Sequence, residues 1–197
     1  MRVASPSLGR EARHAAPFLA LALVVWGAGV GVARWRGASS QPARLPWQLS
    51  YLELPEAQQR LYRAVREGIY DVENVRAETK EWPEVAPLSE AGVPPFAEDA
   101  LVPKLTWRRA RQGLYVNYLG EGDGQRWLIL FIEPEAKALK TPGEAAPPVD
   151  EEHHTLPDGT ALHVTVWTQP MSEPPPQGVL AFPVAEGWTQ LVSPRPP

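Results

Sequence analysis

Glu151-Glu152-His153-His154-Thr155-Leu156-Pro157-Asp158-Gly159-Thr160-Ala161-Leu162-His163-Val164-Thr165-Val166-Trp167-Thr168 is the stretch on which the reading of the fold turns. Asp-Gly between two alternating runs is a strong hairpin signal, because these residues tolerate the backbone twist of a tight reversal. In the second run Leu162, Val164 and Val166 share a face by the two-residue period of a strand, and that face belongs to the core. His163, Thr165 and Trp167 then point the other way, toward solvent or a groove.

Two registers are open. A loop of Asp158-Gly159 sets His154 opposite His163, with Glu152 on the same face opposite Thr165. A loop of Pro157-Asp158-Gly159 slips the pairing by one, so that His153 faces His163 with Glu151 beside it. Either register gathers two imidazoles and one carboxylate on an exposed face. Opposed Cβ atoms about 4.5–5.5 Å apart can converge on one cation, and mixed His/carboxylate ligation suits Zn2+. The candidate metal ligands are therefore His153, His154, His163, Glu152 and Glu151.

Further strands are predicted upstream at 104–110, 113–119 and 126–132. The Glu121-Gly122-Asp123-Gly124 turn makes the last two a hairpin. Leu128–Ile132 is nearly continuous apolar sequence, as in a central strand buried on both faces. Leu61, Val65, Val72, Val75 and Thr79 recur at helical spacings and predict one amphipathic helix over 55–80, begun by Pro55. Gly68 occupies that stripe, where a mid-helix glycine costs about 1 kcal/mol. Between 83 and 103, five prolines predict a short helix at 88–91 and a loop that lays Phe96 and Leu101 on the core. A last strand is expected at 187–192, after a loose Pro-rich stretch at 169–178.

Residues 15–33 are uncharged and apolar, closed by Arg34-Trp35-Arg36. About 20 such residues cross a bilayer as a helix, so 15–36 reads as a transmembrane anchor. A cleaved signal peptide and a buried core helix are the rival readings. Positive charge is balanced across the stretch, and a short leading tail with a long trailing domain favours the N-terminus inside. Gly27 and Gly31 form a GxxxG, where a second helix can seat closely. The division that follows is a cytoplasmic tail at 1–14, the anchor at 15–36, a linker at 37–53, a soluble domain at 54–192 and a tail at 193–197. The expected location is the bacterial inner membrane, single-pass, with the domain in the periplasm.

The chain has no cysteine, which excludes disulfides and thiolate metal sites. Of its 19 basic and 23 acidic side chains, Arg2, Arg10, Arg13, Arg34, Arg36 and Glu11 precede the domain, which leaves 14 against 22. Such a balance argues against nucleic acid as a ligand. Arg108, Arg109 and Arg111 sit at a hairpin edge, where charge discourages edge pairing. No H-E-x-x-H, G-x-S-x-G or P-loop occurs, so no enzyme is expected.

The N-terminal span, Val93-Pro-Pro-Phe-Ala97, Gly113-Leu-Tyr115, Glu151–Gly159, Leu162-His163 and Trp167 together resemble an uncharacterised family. Its members are small single-pass bacterial membrane proteins encoded near zinc- or manganese-type ABC transporters. The resemblance runs through most of 15–190 and implies a setting, metal-ion uptake, with the transporter or its binding protein as partner. It highlights Glu152, His153, His154 and His163.

The expected fold is α+β, with one N-terminal transmembrane helix. A single domain follows, its long amphipathic helix packed on a mostly antiparallel sheet of about five strands. The expected function is a membrane-anchored extracytoplasmic accessory protein, binding Zn2+ through the hairpin cluster and assisting metal-ion uptake. The alternative is a non-catalytic assembly or scaffold protein that docks another envelope protein.

Overall fold

In the computed structural model of the chain, which describes residues 44–133 and 151–194, the hairpins close where their turn residues stand. Strands β2 (Thr106–Gln112) and β3 (Tyr115–Gly122) flank Gly113-Leu114, and Gly113 takes a positive φ of 59°. Strand β4 (Gln125–Ile132) follows Asp123-Gly124, both residues in the left-handed region that a two-residue hairpin requires. Strands β5 (His153–Thr155) and β6 (Ala161–Pro170) enclose the Asp158-Gly159 corner, and β7 (Thr189–Val192) ends the sheet sequence.

Among the described residues the sheet has seven strands and is mixed, which corrects the expectation of about five mostly antiparallel ones. With β1 at Gln48–Ser50, its order is β1-β7-β6-β4-β3-β2, and β5 pairs with the free half of the β6 edge that β7 leaves. The unforeseen member is β1 (Gln48–Ser50), which lies inside the stretch read as linker and runs parallel to β7. Three residues carry no measurable period, and the partner lies at the far end of the domain. Local pattern therefore could not reveal it.

Helix α1 (Glu56–Thr79) covers one face. Its Leu61, Val65, Ile69 and Val72 are buried against Val116, Tyr118, Ile129, Phe131, Val164 and Val166. Gly68 belongs to this seam because the Pro94 carbonyl lies against it: a Cβ there would stand 1.6 Å from that oxygen. A short helix α2 (Val85–Glu90) precedes the Pro94-Pro95 segment, which buries Phe96 between Trp107 and Tyr118. Leu101, expected on the core, is instead 71% exposed.

The opposite face is also apolar. Leu119, Leu128, Leu130 and Trp167 pack beneath Leu180 and Trp188. Asn117 anchors this cover, its amide donating to the Leu180 carbonyl at 3.1 Å and accepting from the Leu180 N–H at 2.6 Å. Double cover explains the continuous hydrophobicity of β4, every residue of which between its ends is buried.

The transmembrane helix expected at 15–36 lies outside the described residues. Among the described residues no helix is long and apolar enough to cross a membrane, and that element is no part of the fold described here. Helix α1 has the length, yet charged side chains line its outer face.

Candidate functional site

The β5–β6 hairpin adopts the three-residue register: His153 pairs with His163, His154 with Leu162 and Thr155 with Ala161. The register decides the fate of the cluster: neighbours on a strand point to opposite faces, and this pairing puts His153, not His154, on the face of His163.

On one face the rings of His153 and His163 stack, with centroids 4.9 Å apart and planes 7° from parallel. Glu152 stands beside them, one carboxylate oxygen 3.3 Å from His163 Nε2. Its other oxygen accepts from Gln190 Nε2 at 3.0 Å, and Gln190 Oε1 accepts from Gln48 Nε2 at 2.9 Å. A polar ladder therefore runs from the hairpin across β7 to β1. It fastens the short parallel strand that backbone pairing alone holds over only three residues.

On the other face His154 turns toward α1. Its Nδ1 lies 2.5 Å from Glu73 Oε1, its Nε2 lies 3.1 Å from the Glu151 carbonyl oxygen, and Tyr70 stacks on the ring at 5.8 Å. Both ring nitrogens lie within hydrogen-bond reach of an oxygen. The two side chains keep 10% and 9% of their surface in solvent. Glu73 therefore brings a carboxylate into a helix face whose neighbours are apolar, and His154 supplies its partner.

The expected zinc site is not formed. Among the described residues no group of three or more His, Asp or Glu side chains is arranged to hold a metal ion. The physical reasons are local. Nitrogen lone pairs lie in the ring plane, so two stacked imidazoles project them side by side instead of converging on one ion. His154 is engaged with Glu73 on the far face, and Glu152 is committed to His163 and Gln190. Glu151 meets the cluster through its backbone carbonyl. The described domain thus holds no metal-binding group at this hairpin.

The sequence reading missed Glu73 and Gln190. Glu73 had a signal: it directly follows Val72 of the apolar stripe, at the border of the buried face. Gln190 had none, since its role depends on β7 meeting β6.

A different surface stands out at the far end of the sheet. Among the described residues strand β2 pairs with β3 alone, and it bears Arg108 and Arg111, both exposed. Arg109 is held back, bonded to the Trp82 carbonyl and to Glu84. The hydroxyl of Tyr118 donates to the Pro83 carbonyl at 2.6 Å, so the 82–84 segment is pinned over the helix-side face of this strand.

No curated protein and no solved structure matches the chain. The family of unknown function DUF6162 does match, over residues 49–195, a span that runs from β1 through β7. Coverage of most of the chain settles membership: the protein belongs to DUF6162, a family of unknown function.

Proposed function

We propose that the domain is a non-catalytic docking module, an accessory that binds another protein of the cell envelope in the setting of metal-ion uptake. The uptake setting rests on the family resemblance. Docking rests on one structural observation, the open outer strand β2. A seven-residue edge that, among the described residues, pairs on one side only offers a partner ready-made backbone donors and acceptors. The stacked His153–His163 pair has a structural part in this reading, through the ladder that secures β1.

A photo-crosslinking residue placed at Gln112 of β2 in the full chain, expressed in its native cell, tests the reading. The expected result is a discrete heavier species from position 112 and none from Asn74 on the outer face of α1. That species persists when His153→Ala and His163→Ala are introduced together. No adduct from position 112, or an adduct lost with the two histidines, overturns the reading.

A further inference from the structure

We infer that the partner segment seated on β2 is an extended, acidic strand, added to the sheet edge by backbone pairing; this rests on the docking reading above. Three observations converge on it.

The first is the hydrogen-bond phase of the edge. Gln112 and Tyr115 close a two-residue hairpin loop, so they form a hydrogen-bonded pair, and the alternation continues back along the strand. Ala110, Arg108 and Thr106 thus bond inward to β3. The N–H and C=O groups of Trp107, Arg109 and Arg111 point outward. None of these three residues has a further backbone partner among the described residues. Three donors and three acceptors at alternate positions are what an added strand consumes.

Charge is the second observation. The domain carries 22 acidic against 14 basic side chains, yet three arginines fall within residues 108–111 of this one strand. Arg109 is paired with Glu84, whereas Arg108 and Arg111 have no ion-pair partner among the described residues. A cationic edge on an anionic body selects an acidic occupant and steers its approach.

Geometry supplies the third. Arg108 shares a face with Leu119, and Arg111 shares the opposite face with Val116 and Phe131. The two guanidinium groups flank the edge above and below the sheet, so carboxylates three positions apart on an incoming strand meet both. A second copy of the chain is disfavoured, because β2 against β2 would set arginine against arginine.

Fluorescence anisotropy on the full chain tests this with three labelled octapeptides. One has glutamates three positions apart among threonine and valine, one has lysines there, and one is the glutamate peptide N-methylated at alternate backbone nitrogens. The glutamate peptide is expected to bind. The lysine peptide should bind at least tenfold more weakly, and so should the N-methylated one. Arg108→Glu with Arg111→Glu should weaken the glutamate peptide at least tenfold, with far-UV circular dichroism and the melting temperature confirming that the variant is folded. Equal binding of the N-methylated peptide would reduce the effect to charge attraction and overturn strand addition. Equal binding of the lysine peptide, or no binding at all, would overturn the acidic occupant. If the peptides fail while the cellular adduct at position 112 persists, this inference falls and docking stands. If both fail, both fall.

Discussion

Gly68, in the middle of α1, faces the carbonyl oxygen of Pro94 at a distance that leaves no room for a methyl group. The glycine that weakens the helix by propensity is thus the residue that lets the Pro94-Pro95 segment seat Phe96 in the core.

Gly68→Ala sets two effects against each other. Helix propensity favours alanine by about 1 kcal/mol, while overpacking costs about 1–3 kcal/mol and reaches its upper end when the obstacle is backbone. A Cβ at 1.6 Å from a carbonyl oxygen lets the clash win. Urea denaturation should show a net loss of about 2 kcal/mol; an unchanged or higher midpoint would refute the seam.

His154→Ala strips Glu73 of its partner within an apolar helix face. Breaking a buried pair from one side costs about 3–5 kcal/mol, whereas replacing both partners with apolar groups is often neutral or better. The variant should therefore lose about 3 kcal/mol, and His154→Leu with Glu73→Leu should recover most of it. Equal losses in the single and double variants would mean that the contact between Glu73 and His154 does not matter. His163→Ala, whose imidazole is 40% exposed, should cost no more than about 1 kcal/mol.

Lys80 caps the C-terminal end of α1 in the left-handed conformation and reaches the hairpin corner, where its Nζ lies 2.6 Å from Asp158. Hydrogen bonds from Lys80 and Thr160 hold the Asp158 carboxyl well below the usual carboxylate range. A depressed folded value stabilises the protein above the unfolded one, about 3.9, and that contribution fades as pH falls further. Melting temperature against pH should drop less steeply below pH 4 in Lys80→Met than in the parent. Parallel curves would detach Asp158 from acid unfolding.

Burial raises the Tyr118 hydroxyl above its ordinary value, and desolvation does the same to Tyr62. A group that keeps its proton longer when folded contributes stability below the unfolded pKa, near 10, and loses it as pH climbs beyond. Absorbance titration should find the phenolates of these two among the last of the five tyrosines to form. Tyr118→Phe removes the bond to the Pro83 carbonyl and should cost about 1 kcal/mol by thermal melting. Ionisation of all five near pH 10 in the folded protein would contradict the burial.

Much of this architecture is legible in local pattern. Two hairpins follow from their Asp-Gly corners, the helix from its apolar stripe, and the central place of β4 from Leu128–Ile132, whereas the Gly113-Leu114 corner falls where the sequence reads as the start of a strand. Each signal arises within a few residues, where backbone twist and side-chain period act directly. Tertiary contact decided what depended on distance in the chain: the parallel pairing of Gln48 with Gln190, 142 positions apart, and the seating of Leu180 and Trp188 over the second face. It also decided the histidines, because a one-residue difference in register turns a side chain through the sheet. In the register adopted, His154 meets Glu73 on α1, a contact that no local pattern encodes.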